Sequence, residues 1–172
     1  MVPEKVKILI IDDEQDIREY LKKMLERKGY LAFTAADGEE GLQVIKDQEI
    51  EIIFSDITMP KLNGIAFLKE VHNYNIVAQV IMITGNANLD DCIEAVEYGA
   101  NAYLLKPINT QDMLDAIALA QRNITEKKEI VKKAINQLEP KEVNTVLKRI
   151  MKIGKSFNKM KEIIKDTLTE TQ

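Results

Sequence analysis

Five short apolar runs, each followed by a stretch of helical period, fill the first 120 or so residues of this chain. No other feature restricts the fold as strongly. Strands that alternate singly with helices pair in parallel through right-handed crossovers, so the expectation is an α/β doubly wound parallel sheet. The first run, Val6 to Ile11, is apolar except for Lys7 and ends on Asp12-Asp13. Its helix carries Ile17, Tyr20, Leu21, Met24 and Leu25 on one face, with Asp13 expected as cap, Asp16 three residues on, and Gly29 as stop. A second run, Tyr30 to Ala35, leads to a helix opening at Asp37-Gly38, with Leu42 and Ile45 inward. The third, Ile52-Ile53-Phe54, ends on Ser55-Asp56 ahead of the turn signal at Pro60, and Asn63-Gly64 starts a helix through Phe67, Leu68 and Val71. The fourth, Gln79 to Ile83, ends on Thr84-Gly85. Asn88 should cap the next helix, which is expected to bury Ile93 and Val96 and end at Gly99. The fifth, Ala102 to Leu105, ends on Lys106-Pro107, and Asn109 should cap the fifth helix, with Asp112 three residues on. Runs one, three and four are almost purely apolar, as central strands should be; the second, with Thr34 and more alanine, looks peripheral.

Composition narrows the function classes. Apolar residues make up 45% of the chain, enough for a real core, while 5% aromatic content without tryptophan argues against a base-stacking surface. A single cysteine, Cys92, excludes an intramolecular disulfide and a cysteine metal cluster, and fits a reducing cytoplasm. Cys92 is expected to pack its helix, and His72 to be a solvated histidine. The segment before Asp12 is too short for a signal peptide, and no apolar run approaches membrane-spanning length, so no membrane partner is expected. The net charge of −4 hides an asymmetry: residues 1–122 hold 12 Lys and Arg against 21 Asp and Glu, whereas residues 123–172 hold 12 against 7.

In open α/β sheets ligands bind at the carboxyl ends of the strands. There the chain delivers Asp12 and Asp13 after strand one, Asp56 after strand three, Thr84 after strand four and Lys106 after strand five. If the strand order is 2-1-3-4-5, three carboxylates share one rim. Their repulsion calls for a cation, and hard oxygen ligands suit Mg²⁺. Singly, each residue has an ordinary role: a cap for Asp13, a filler for Thr84, a solvated ammonium for Lys106. Together they form a pocket suited to a phosphoryl group, with Asp56 as candidate nucleophile.

The segments Ile11-Asp12-Asp13-Glu14, Asp56-Ile57-Thr58-Met59-Pro60 with Asn63-Gly64, Ile83-Thr84-Gly85 and Gly99 through Pro107 resemble the receiver domain of bacterial two-component response regulators, over residues 5 to about 122. The resemblance implies a flavodoxin-like five-stranded sheet. Asp56 would be the phospho-acceptor served by a sensor histidine kinase. Asp12, Asp13, Asp56 and the Thr58 backbone carbonyl would hold Mg²⁺, Thr84 and Tyr103 would be a switch pair, and Lys106 would contact the phosphoryl group, its bond to Pro107 being cis. It implies no enzymatic turnover beyond self-catalysed phosphorylation and dephosphorylation of the aspartate. A haloacid-dehalogenase-type phosphatase would need an aspartate where Thr58 stands, and an FMN-binding protein a phosphate loop after strand one.

Beyond residue 122 the helical pattern continues to Leu138, with Ile117, Ile124, Val131 and Leu138 seven residues apart, until Glu139-Pro140 breaks it. A second segment repeats Val143, Ile150, Phe157 and Ile164 on one line and Val146, Ile153, Met160 and Thr167 on another, weakened at Gly154. Residues 1–122 and 123–172 are therefore expected to be a receiver domain and a C-terminal helical hairpin. The hairpin cannot bury both seams unaided, so a homodimer is the expected partner arrangement. The basic residues Lys148, Arg149, Lys152, Lys155, Lys159 and Lys161 admit nucleic acid as an alternative partner, less favoured than a solvated face.

Overall fold

The computed structural model describes residues 5–74, 78–86, 88–137, 142 and 145. Five strands, β1 (Lys7–Ile11), β2 (Leu31–Ala35), β3 (Ile52–Asp56), β4 (Gln79–Thr84) and β5 (Ala102–Leu105), alternate with α1 (Gln15–Arg27), α2 (Gly38–Asp47), α3 (Gly64–Tyr74), α4 (Leu89–Glu97) and α5 (Thr110–Asn136). The sheet is parallel throughout, in the order β2-β1-β3-β4-β5, as the alternation requires. The apolar strands β1, β3 and β4 are central, and β2 lies at an edge.

Successive side chains of a strand point to opposite faces, and the core divides accordingly. Ile8, Ile10, Ile52, Phe54, Ile81 and Ile83 face α1 and α5, where Leu21, Leu25, Met113, Ile117 and Ile124 meet them. Leu9, Ile11, Ile53, Val80 and Met82 face Ile45 of α2, Phe67, Leu68 and Val71 of α3, and Ala95 of α4. Each large side chain so enclosed contributes about 1.5–3 kcal/mol relative to exposure, which fixes the register of all five strands.

The helix ends follow local chemistry with one exception. Asp37 caps α2 by accepting from the Glu40 N–H at 2.9 Å, Asn88 caps α4 from Asp91 at 2.8 Å, and Asn109 accepts from Asp112 at 2.8 Å at the start of α5. Gly29 ends α1 at φ +92°, a conformation that glycine adopts without a Cβ penalty. Asp13 does not cap α1. The cap position belongs to Glu14, which makes no side-chain capping bond, while the Glu14 N–H is taken by Asp12 Oδ1 at 2.9 Å. Asp13 stays exposed at the rim.

A second expectation is corrected in α4. Ile93 and Val96 are 48% and 73% exposed, and Leu89 is 74% exposed. The helix turns Ala95 to the core instead, with Cys92 half-buried. A small residue lets the backbone sit close to the sheet, and the apolar line at i, i+4, i+7 is left facing outward. Periodicity reveals that a helix has an apolar stripe, not which neighbour covers it.

The long last helix is observed through Asn136, with Ile117 and Ile124 buried and Val131 half-buried. Leu138, the break at Glu139-Pro140 and the two seven-residue lines of the second segment lie outside the described residues, as does the side chain of His72. Among the described residues no helix is long and apolar enough to cross a membrane.

Candidate functional site

Parallel register brings the strand ends level. Ile11 is opposite Ser55, Asp56 opposite Ile83, and Thr84 opposite Leu105. The residue at or just past each end, Asp12, Asp56, Thr84 or Lys106, therefore opens on the same rim.

Asp56 is 5% exposed and held by both oxygens. Its Oδ1 accepts from the Thr58 N–H at 3.0 Å, and its Oδ2 accepts from Lys106 Nζ at 2.5 Å. Lys106 Nζ also lies 2.8 Å from Asp12 Oδ2 and 3.6 Å from Glu14 Oε1. One ammonium thus bridges two carboxylates that burial would otherwise force apart or neutralise. Burial alone would lower the Lys106 pKa, but hydrogen bonds to Asp12 and Asp56 outweigh it and raise the group above the usual lysine value. Asp12, 1% exposed, is shifted upward because desolvation disfavours its charged form. The Lys106 ammonium and the Glu14 N–H pull the other way without cancelling that burial.

Asp12, Asp13 and Asp56 each present a carboxylate oxygen, all within 4.8 Å of one another. An all-oxygen donor set with one member open to solvent fits a hard divalent cation that keeps several of its waters, as Mg²⁺ does. Thr84 is buried at the end of β4. Its hydroxyl donates to the Asn86 carbonyl at 3.1 Å and accepts from the Asn86 N–H at 3.2 Å. In the neighbouring edge strand, the half-buried Tyr103 keeps a hydroxyl enclosed without a hydrogen-bond partner. Burial and then the nearby Cys92 thiol push that phenol up to about 12. The Lys106–Pro107 bond is cis.

Three residues support the site, and two of them, Arg18 and Lys61, were not singled out in the sequence. Arg18 donates from Nη1 to the Asp12 carbonyl at 2.7 Å, tying α1 to the loop that carries the acidic pair. Lys61, at φ +59°, forms an ion pair with the α2 cap Asp37, whose carboxyl is held below its usual range by that lysine. The pair fastens the loop after β3 to the start of α2. Gly64 leaves no room for a side chain, since a Cβ there would collide with the Asp56 carbonyl. Only Gly64 had a sequence signal, as a turn glycine; the other two depend on partners 6 and 24 residues away.

Sheet order, acidic rim and bridging lysine define a flavodoxin-like α/β domain with its site at the switch point between β1 and β3. Residues 8–118 match the family model for the response regulator receiver domain, and the chain belongs to that family. Its relatives include a probable transcriptional regulator, ycf27, of Porphyridium aerugineum, 36% identical over 121 residues, 70% of this chain and 50% of that protein. The alkaline phosphatase synthesis transcriptional regulatory protein PhoP of Bacillus subtilis is 35% identical over 107 residues, 62% of this chain and 45% of that protein. This chain therefore spans about half the length of the curated relatives it matches. Among solved structures, a receiver domain protein (CheY-like) from Methanospirillum hungatei superposes with a TM-score of 0.67 at 32% identity, covering 73% of this chain and 98% of that one. A receiver domain from Clostridium thermocellum gives 0.65 at 36%, with the same coverage. The chain carries the receiver domain of a two-component response regulator, and the homologues are transcriptional regulators.

Proposed function

We propose that Asp56 accepts a phosphoryl group from the phosphohistidine of a sensor histidine kinase in the cytoplasm, and that residues 123–172 carry the output. The reading rests above all on Asp56 itself, a nearly enclosed carboxylate with one oxygen on a backbone N–H and the other on Lys106, beside two further aspartates. Asp12, Asp13, Asp56 and the Thr58 carbonyl would hold Mg²⁺, which when bound supplies charge neutralisation for the phosphoryl oxygens. A carboxylate oxygen of Asp56 bonds to phosphorus as the phosphorus–nitrogen bond to imidazole breaks, the nitrogen keeping the electron pair. The contacts to Thr58 and Lys106 hold the carboxylate in one orientation for in-line approach. Lys106 is placed to follow the charge from carboxylate to phosphoryl group. The chain acts on no substrate but itself.

Thr84 and Tyr103 would convert the modification into a change of shape. To donate to a phosphoryl oxygen the Thr84 hydroxyl must leave the Asn86 carbonyl, giving up about 1 kcal/mol and exchanging it for a charge-assisted bond. Space vacated by Thr84 is available to the Tyr103 ring, whose hydroxyl has no hydrogen bond to lose. α5 begins five residues after β5 and continues as one helix to Asn136, so movement at β5 has a direct path into the tail. We infer that residues 123–172 form a helical hairpin that associates as a homodimer, biased by phosphorylation no further than the two states differ in interaction energy.

Intact mass after incubation with acetyl phosphate and Mg²⁺ tests the first part: the wild type should gain one phosphoryl group and Asp56→Asn none. Full uptake by Asp56→Asn would refute it. For the tail, Ile150→Glu with Phe157→Glu should dissociate the dimer in light scattering while Asp56 still takes up phosphate.

A further inference from the structure

The turn between β2 and α2 supplies no side chain to the acidic rim, yet it touches both arms that do. Its Ala35 carbonyl accepts from the Asp12 N–H at 3.2 Å, and its Gly38 N–H donates to the Leu62 carbonyl at 3.0 Å. Leu62 belongs to the loop 57–63 that joins β3 to α3 and carries Thr58. Between these two contacts stands Asp37, 3% exposed. Its Oδ1 accepts from the Glu40 N–H, and its Oδ2 pairs with Lys61 Nζ. A carboxylate so enclosed needs a partner, and this partner comes from the loop beside Asp56, 24 residues away in the chain.

Lys61 holds a backbone conformation that does not favour it. At φ +59° it lies in the left-handed region, where the Cβ of an L-residue crowds the following carbonyl. Asparagine or glycine would take the turn with less strain, but neither side chain would bring a charge to Asp37. Strain of this kind persists where the surroundings over-determine the position. Three residues earlier, the Thr58 N–H holds Asp56 Oδ1 at 3.0 Å, and the Thr58 carbonyl would be a Mg²⁺ ligand. The Gly64 N–H closes the loop on the Ile57 carbonyl at 3.0 Å, so Thr58 and Lys61 share one short, closed segment. Of residues 58–61 only Met59 is buried. Packing therefore grips this stretch at one point and leaves its tilt to polar contacts.

We propose that Asp37 and Lys61 are positioning residues for Asp56: their ion pair sets the tilt of the β3–α3 loop, and with it the seat of Thr58, the affinity for Mg²⁺ and the rate of phosphoryl uptake. The inference rests on the reading of Asp56 as phospho-acceptor and adds a pair outside the acidic rim that governs its geometry. Neither side chain touches the reacting atoms. Both act through the Thr58 backbone, which orients one carboxylate oxygen of Asp56 directly.

Amide hydrogen exchange of the metal-free full chain, read by NMR, tests the proposal. Lys61→Asn keeps a residue that tolerates the left-handed backbone and removes the ammonium, while Asp37→Asn keeps the α2 cap and removes the charge. In each variant the Thr58 and Gly64 N–H groups should exchange at least fivefold faster, with Ile10 and Phe54 of the central strands unchanged. The Kd for Mg²⁺, followed on the same amides, should rise at least threefold. Phosphoryl uptake from acetyl phosphate at saturating Mg²⁺ should slow at least fivefold. Lys61→Arg should restore all three to within twofold of the wild type, and the double variant should be no worse than either single one, because the pair acts as a unit. Wild-type Thr58 exchange and Mg²⁺ affinity in either Asn variant would overturn the proposal. So would equally faster exchange at Ile10 and Phe54, which would make the pair a general structural contact, or effects that add in the double variant. A wild type that takes up no phosphoryl group would refute the acceptor reading alone, since exchange and metal affinity report the seat of Thr58 without it.

Discussion

Lys106→Met isolates the electrostatic arrangement on which the site depends. The substitution keeps the aliphatic stem but removes the ammonium that lies 2.5 Å from Asp56 Oδ2 and 2.8 Å from Asp12 Oδ2. Both carboxylates are nearly enclosed, at 5% and 1% exposure. Removing one partner of a buried ion pair costs about 3–5 kcal/mol, because the remaining charge is left desolvated and unpaired. The lysine reaches the site from its rim, so the lower end, about 3 kcal/mol, is the expected loss near pH 7 in the presence of a chelator. Measured against a total stability of about 5–15 kcal/mol, that should lower Tm by roughly 10 °C. Mg²⁺ should reverse the order of effects. Lysine and metal compete for the same oxygens, so the variant should bind Mg²⁺ at least tenfold more tightly than the wild type. At 100 times Kd the metal would restore about 2.7 kcal/mol. Urea unfolding with chelator and with a Mg²⁺ series gives both quantities. A metal-free loss under 1 kcal/mol, or unchanged Mg²⁺ affinity, would show that Lys106 does not neutralise the pair.

Asp13→Ala should abolish Mg²⁺-dependent phosphoryl uptake in intact mass and leave the metal-free fold as stable as the wild type or slightly more so, since an exposed carboxylate is removed from an acidic cluster. Gly64→Ala should cost at least about 2 kcal/mol in urea unfolding and slow phosphorylation, because the added methyl group displaces the Asp56 carbonyl. The raised pKa of Asp12 has a defined sign. Its folded form holds a proton that the unfolded chain releases near 3.8, so metal-free stability contributed by this group is lost as pH climbs from there through the raised folded value. Asp12→Asn should flatten that part of the pH–stability curve; an unchanged slope would contradict the assignment.

The strand–helix alternation was legible from the sequence because hydrophobic period is a local property. Two-residue and 3.6-residue repeats differ within a few positions, and Asp37, Asn88, Asn109 and Gly29 mark helix ends by chemistry that acts over three or four residues. The candidate site was legible for a related reason. Parallel strands end on one side of a sheet, so Asp12, Asp56, Thr84 and Lys106 at successive ends had to share a rim once the order was known. What only the tertiary structure decided depends on distance across space. Lys106 bridges two carboxylates rather than facing solvent, Arg18 and Lys61 fasten loops to helices, and Asp13 stays free of capping because Asp12 takes the Glu14 N–H. The same limit explains α4. Ile93 and Val96 have the period of a buried stripe, yet Ala95 is what meets the core, because the choice between two faces of a short helix is made by the volume available beside the sheet edge and not by the helix itself.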